Sequence, residues 1–313
     1  MTCARWASID VGTNSVLLTI VEPRADGDLT PRLEVAEITR IGEGLAAHGC
    51  FQPAAMERTA TVLERYAALC REHQVTRIIA VGTAAFRRAT NADQFIAAVR
   101  QRCGITLEVI SGAREAALSY GAATRDFGSD ALVLDIGGGS TEFIWQADSR
   151  LHAHSLSLGS VTLQEQLVHS DPISDADYAA VLQAIVTQMD TLPVIAASTG
   201  PTPRPLIALA GSATTLAAMH LQLAQYSHDQ VHGTVLTGED IAALLARLRA
   251  ASLAERRQMR GLEAARADVI LSGTMILQET LRRYGMKRAT ISDRGVRWGL
   301  LYELAGEEMQ NAK

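Results

Sequence analysis

Short apolar runs bounded by glycine and polar residues alternate along this chain with longer stretches whose apolar residues recur at helical spacing. In the first half, an apolar stretch before Asp10 and another from Val16 to Val21 read as strands, as does Leu33 to Ile41, with Arg40-Ile-Gly-Glu-Gly44 as a turn. Met56, Val62, Leu63, Tyr66 and Leu69 share one face of a predicted helix from Pro53 to Glu72, because residues three and four apart stack on a helix surface. A strand from Arg77 to Val81, a helix from Ala92 to Cys103 and a strand from Ile105 to Ile110 follow. This alternation is that of an α/β sheet domain.

The second half repeats the theme. A strand and turn are expected over His154 to Thr162, and an amphipathic helix over Asp175 to Leu192 with Val181, Leu182 and Ile185 inward. Pro193 to Pro205 reads as an exposed connection. Leu206 to Ala217 reads as strand, glycine turn and helix; Glu239 to Ala250 and Leu253 to Gly261 as helical stretches; Arg266 to Leu281 as a long helix that tolerates Gly273 at a close approach. Thr290 to Asp293 is a last strand, and a terminal helix starting at Arg294 is expected to pack back on the first domain.

Against this background one stretch stands out, Leu132-Val-Leu-Asp-Ile-Gly-Gly-Gly-Ser-Thr-Glu-Phe143. Gly137, Gly138 and Gly139 let backbone N–H groups approach an anion. Ser140 and Thr141 add hydroxyl donors, and Asp135 and Glu142 offer hard oxygen ligands for a divalent cation. Aligned on the aspartates, Asp10-Val-Gly-Thr-Asn-Ser15 follows the same template of Asp, β-branched residue, Gly, two residues and Ser. Each motif is followed by strand formers, so each is predicted to be a β-hairpin turn. A dinucleotide fingerprint would open a helix instead, and a P-loop would need Gly-Lys-Ser/Thr. A duplicated phosphate loop predicts two similar halves around a shared cleft.

Composition narrows the class. The chain has 313 residues and 48% hydrophobic content, enough for two cores, with no apolar run long enough to span a membrane and no signal segment. A cytoplasmic protein with no membrane partner is expected. Cys3, Cys50, Cys70 and Cys103 form no CxxC pair, which argues against zinc and a disulfide framework. A net charge of −5 opposes non-specific nucleic-acid binding. Lys287 and Lys313 are the only lysines, so cations toward a polyanion are arginines.

Three further stretches admit two readings each. Arg87 and Arg88, in what reads as a polar loop after Val81, are either solvated or a phosphate clamp. Glu115, after a plausible N-cap at Ser111, serves either the helix dipole or chemistry. Gly211, Ser212 and Ala213 permit either a flat ring or phosphate against the backbone, or close strand–helix packing. His232 reads as structural.

The order of these motifs resembles the exopolyphosphatase / guanosine pentaphosphate phosphohydrolase family, within the superfamily of actin, sugar kinases and chaperone ATPases. Matching stretches run from Ile9–Leu18 through Arg40–Leu45, Val81–Asn91, Ile110–Tyr120, Leu134–Phe143, Leu156–Val161, Ala210–Ala217, Val231–Gly233 and Gly261–Ile276 to Ile291–Leu301. The resemblance implies two ribonuclease-H-like domains flanking a cleft, residues 1–122 plus a helix at about 297–313, and residues 123–296. It implies phosphate binding by Asp10, Gly12, Thr13, Asn14, Ser15, Arg87 and Gly137 to Thr141, with Arg88 incidental. It makes Glu115 the catalytic glutamate, with Glu142 sharing catalysis or metal binding, and assigns metal to Asp10, Asp135 and Glu142. Two departures are Ala113-Arg114-Glu115, where Glu115 is the sole acid, and Gly211-Ser-Ala in the adenosine loop of superfamily relatives.

The implied activity is Mg²⁺-assisted release of terminal orthophosphate from inorganic polyphosphate, with Mn²⁺ as an alternative metal and Glu115 as general base. Guanosine pentaphosphate, and with it a place in the stringent response, is the rival substrate. A slow-turnover regulatory binder of polyphosphate or alarmone, or a kinase running the chemistry backward, are rival classes. The family expectation is a homodimer.

Overall fold

The computed structural model describes residues 4–24, 27–193, 195 and 204–311. The chain divides into two compact units, Met1–Ala122 with Val296–Lys313, and Ala123–Gly295.

The first unit opens with β1 (Trp6–Val11), β2 (Ser15–Pro23) and β3 (Leu29–Ile38), an antiparallel meander in which Val11 pairs with Val16. After α1 (Leu45–His48) and α2 (Pro53–Glu72), β4 (Arg77–Gly82) joins β1 in parallel. Then follow α3 (Ala84–Arg88), α4 (Ala92–Cys103), β5 (Leu107–Val109) and α5 (Gly112–Phe127), whose last turn crosses into the second unit. Among the described residues the sheet order is β3-β2-β1-β4-β5.

Both faces of β1 are buried, and strand alternation sorts its residues between two cores. Ala7, Ile9 and Val11 join Val16, Leu18 and Ile20 of β2 under α2 and α4, packed on Phe51, Tyr66 and Phe95. Trp6 and Val21 belong to the opposite face, covered by the terminal helix. The rings of Phe51, Phe86 and Phe95 meet at 5.1, 6.0 and 5.9 Å, contacts worth about 0.5–1.5 kcal/mol each beyond area burial.

The second unit contains β6 (Leu132–Ile136), β7 (Thr141–Ala147), β8 (Arg150–Leu156), α6 (Ser160–Leu167), α7 (Asp175–Met189), β9 (Leu206–Leu209), α8 (Ala210–His220), α9 (His228–Val231), β10 (Val235–Thr237), α10 (Gly238–Ala250), α11 (Leu253–Arg256), α12 (Ile270–Arg283) and β11 (Arg288–Ile291). Its sheet order among the described residues is β10-β11-β9-β6-β7-β8. Leu132, Leu134, Phe143 and Trp145 face a core filled from α7, α8, α10 and α12. The chain then returns to the first unit as α13 (Val296–Asn311).

Several expectations shift. The stretch after Val81 is a short helix rather than a polar loop, and Ser160 starts a helix where a turn was expected. β9 runs straight into α8, the reversal falling on Ala210 at φ 69° rather than on a separate glycine turn. The helix expected from Arg266 begins at Ile270, after a 3-10 turn at Ala264–Arg266. The Pro193–Pro205 connection lies mostly outside the described residues, as does Cys3.

Candidate active site

The two hairpin turns are built alike. Gly12 N–H donates to Ser15 O at 3.0 Å, and Gly137 N–H donates to Ser140 O at 2.9 Å. Both close the same four-residue turn, so the sequence template is a structural repeat.

Each loop is braced from behind by a different element. In the first, Thr13 O accepts from Gly42 N (3.0 Å), and Asn14 O accepts from Thr39 N (3.0 Å) and Arg40 N (2.9 Å). A Cβ on Gly42 would lie 2.3 Å from Thr13 Cγ2, so glycine is required where this turn backs the loop. In the second, Gly137 O and Gly138 O accept from Ser160 N (3.0 Å), Val161 N (2.9 Å) and Thr162 N (3.1 Å) at the start of α6. In a trans peptide the C=O and N–H point in opposite directions. Fixing these carbonyls toward α6 therefore turns the Gly138 and Gly139 N–H groups away from it, the orientation an anion-binding loop needs. Gly159 makes the approach feasible, since a Cβ there would lie 2.2 Å from Gly138 O.

The side chains of the second loop divide their work. Thr141 is fully buried and its hydroxyl donates to Leu158 O. Asp135 and Glu142 stand directly opposite in the β6–β7 ladder and share a face. Glu142 is 9% exposed and its Oε1 accepts from Ser155 Oγ at 2.7 Å.

In the first unit the structure brings together Asp10, Arg87 and Glu115. Asp10 is the penultimate residue of β1, on the face covered by α13. Its Oδ1 is buried with no hydrogen-bond partner among the described residues. Burial pushes its carboxyl up to about 7, Glu115 adds to the rise, and Arg297 pulls against it. Asn14 is also buried, with Oδ1 likewise unpartnered.

Glu115 lies in the first turn of α5, where Ser111 caps the helix by accepting Arg114 N–H at 3.2 Å. Its Oε2 accepts from Arg87 Nη1 at 2.6 Å, and the same nitrogen donates to Ile110 O at 3.0 Å. Burial raises the Glu115 carboxyl and Arg87 holds it back. Arg87 is itself anchored by its neighbour: Phe86 is 3% exposed, and a Cβ on Gly82 would meet its ring at 2.6 Å. Arg88 is exposed.

These donors fit a hard divalent cation. Asp10 presents a buried carboxylate oxygen without a partner among the described residues. Asp135 and Glu142 face each other in register, so their carboxylates lie side by side on one face.

At the Gly211 stretch a Cβ on Gly211 would lie 2.1 Å from Arg266 Nη1, Ser212 packs on Gly273 of α12, and Ala213 is fully buried.

Sequence reasoning passed over four residues that shape these sites: Gly42, Ser155, Gly159 and Arg297. Arg297 left a visible signal, a charge within the apolar run Val296 to Leu301. The other three left none, because their roles arise from contacts distant in sequence.

Residues 20–308 match the Ppx/GppA phosphatase family. Exopolyphosphatase 2 of Mycobacterium tuberculosis is 32% identical over 325 residues, covering 98% of this chain and 100% of that protein. The guanosine-5'-triphosphate,3'-diphosphate pyrophosphatase of Vibrio vulnificus is 30% identical over 311 residues, 98% of this chain but 60% of that protein. The Aquifex aeolicus Ppx/GppA family member superposes with a TM-score of 0.79 at 32% identity, covering 99% of each chain. An exopolyphosphatase from Cytophaga hutchinsonii gives 0.85 at 26% identity, covering 97% of this chain and 98% of that one. Two ribonuclease-H-like domains of the actin superfamily are the fold of these proteins and of this one. With its full-length match in sequence and structure, the chain belongs to the Ppx/GppA phosphatase family.

Proposed function

We propose that this protein is an exopolyphosphatase that releases terminal orthophosphate from inorganic polyphosphate. The observation that carries the reading is the contact between Glu115 and Arg87, a half-buried carboxylate held next to a guanidinium in the unit that also presents Asp10. A phosphoryl group needs donors to hold its oxygens and a base for the attacking water, and little covalent work from the protein. In the first unit Arg87 and the backbone of residues 12–15 hold phosphoryl oxygens; in the second unit the backbone of residues 137–140 is the corresponding phosphate loop. Glu115 accepts the proton of the lytic water as its oxygen attacks phosphorus in line. The terminal P–O anhydride bond breaks, and the shortened polyphosphate leaves on the opposite side.

Asp10 in the first unit, and Asp135 with Glu142 in the second, are the carboxylates suited to Mg²⁺, with Mn²⁺ as its substitute. The cation supplies charge neutralisation at the phosphoryl oxygens. Glu142, fixed by Ser155, orients water or cation rather than serving as the base.

The exopolyphosphatase relative is 32% identical and the guanosine pentaphosphate-directed relative 30%, so polyphosphate stands as the first substrate and the alternative is not better supported. The second substrate remains the rival, with its link to the stringent response. A cytoplasmic homodimer belongs to the same reading; its mass in solution tests the second half.

Purified protein with Mg²⁺, assayed for phosphate release from graded polyphosphates, guanosine pentaphosphate and ATP, tests the proposal. Release from polyphosphate at the highest kcat/KM is expected. A preference for guanosine pentaphosphate supports the rival, and tight binding without release supports a regulatory binder.

A further inference from the structure

Helix α13 carries an arginine where its buried face calls for an apolar side chain. Arg297 is 3% exposed. Its neighbours Val296, Trp298, Leu300 and Leu301 are buried against Trp6, Val21, Val81 and Leu118. A guanidinium in such a place loses its hydration, and well-packed apolar replacements of buried ion pairs are often neutral or stabilising. Stability alone gives little reason for it.

Its surroundings give a better one. On the sheet face beneath α13, Ser8 stands opposite Thr19, and Thr19 opposite Glu34, a polar row across three strands. Ser8 and Thr19 are fully buried, and neither hydroxyl has a partner among the described residues. Asp10 lies two residues beyond Ser8, hence on the same face. Glu34 Oε2 forms an ion pair with Arg297 Nη2 at 3.2 Å and accepts from Trp298 Nε1 at 3.0 Å. Held there, the Arg297 charge acts on Asp10. Gly299 brings α13 against α5, since a Cβ there would lie 2.5 Å from Leu118 O. Leu118 is one turn beyond Glu115, so α13 braces the two elements that carry Asp10 and Glu115.

We infer that Arg297 is a positioning residue for the active-site carboxylates: anchored by Glu34, it fixes a positive charge in the buried layer between α13 and the sheet face that carries Asp10, while α13 braces the helix that carries Glu115. The inference rests on the roles proposed above for those two acids. Residues that orient metal ligands from behind typically change metal affinity or activity by about 10- to 100-fold when lost.

The test compares wild type, Arg297→Met, Arg297→Lys and the double variant Glu34→Gln/Arg297→Met. The readouts are thermal unfolding, Mn²⁺ binding followed by the loss of the free-ion paramagnetic resonance signal, and kcat and KM for phosphate release. Arg297→Met is expected to stay folded, to bind Mn²⁺ roughly tenfold or more weakly, and to lose kcat by about 10- to 100-fold with a smaller change in KM. Arg297→Lys should recover part of both losses. Should Arg297→Met unfold because Glu34 is left buried and uncompensated, the double variant and the lysine variant carry the same comparison.

A folded variant with wild-type Mn²⁺ affinity and kcat overturns the inference. So does a lysine variant no better than methionine, or a wild-type chain that binds no Mn²⁺. A wild type that binds Mn²⁺ but releases phosphate from no substrate refutes the proposed function instead, and the Mn²⁺ titrations still decide the role of Arg297.

Discussion

Arg87 Nη1 donates to Glu115 Oε2 at 2.6 Å, so the guanidinium proposed to hold phosphate is also the partner of the proposed base. The two roles compete. Burial raises the Glu115 carboxyl and Arg87 lowers it, so a phosphate drawing on the same guanidinium releases the base toward a higher, more useful basicity. Replacing Arg87 by methionine removes the lowering influence, and the acid limb of the kcat/KM profile should move to higher pH while KM rises. An acid limb that stays in place would separate Arg87 from Glu115 in the reaction.

Glu115→Gln keeps the shape of the side chain and removes its basicity. Substrate binding should survive largely intact while kcat falls by roughly 10²-fold or more. Single-turnover phosphate release together with a binding titration checks both halves, and an unchanged kcat refutes the base assignment.

The position of Arg87 depends on packing one residue away. A Cβ on Gly82 would lie 2.6 Å from the Phe86 ring, which is held in turn by Phe51 and Phe95. Gly82→Ala should therefore displace α3, cost about 1–3 kcal/mol by overpacking, and lower kcat/KM by more than that stability loss explains at a temperature where the variant is fully folded. Parallel melts and kinetics separate the two effects.

Asp10 links the site to stability. Its carboxyl titrates at about 7 in the folded chain against an ordinary value of 3.8. Between those values the folded state holds a proton that the unfolded state has released. In chelator the associated stabilisation should therefore be complete below about pH 4 and be lost as pH rises toward 7, an effect on the order of 2–4 kcal/mol. Asp10→Asn should flatten that dependence, and added Mg²⁺ should stabilise wild type more than the variant at pH 7.5. Melting curves across pH, with and without Mg²⁺, give the comparison.

Much of this was legible in the sequence for a physical reason. The helix over Pro53–Glu72 and the Asp10 and Asp135 hairpin turns are written in local periodicity and turn chemistry, which one stretch of chain carries by itself. What was not legible depends on partners far away. α3 forms because Phe86 packs on Phe51 and Phe95, although its residues read as a polar loop. The partner of the Thr141 hydroxyl, Leu158 O, lies 17 residues away and leaves no local signal. Arg297 announces itself only as a misplaced charge, and its meaning waits on the register that lines Ser8, Thr19 and Glu34 beneath it.

The second glycine loop offers the sharpest test of backbone phosphate binding, because its shape depends on one residue outside it. A Cβ on Gly159 would fall 2.2 Å from Gly138 O and 2.5 Å from Gly139 N. Both contacts are backbone, so no rotamer can relieve them. Gly159→Ala must push the loop away from α6 and disturb the carbonyl anchors that aim the Gly138 and Gly139 N–H groups. Phosphate release should fall by about 10²-fold or more, in keeping with the loss of an aligned backbone donor. Gly121→Ala provides the matched control, since that glycine is exposed on α5 with nothing within 4 Å of the added carbon. It should leave kcat unchanged and stabilise by about 0.5–1 kcal/mol through helix propensity. A folded Gly159→Ala variant with wild-type kcat would show that this backbone does not hold the transferred phosphoryl group.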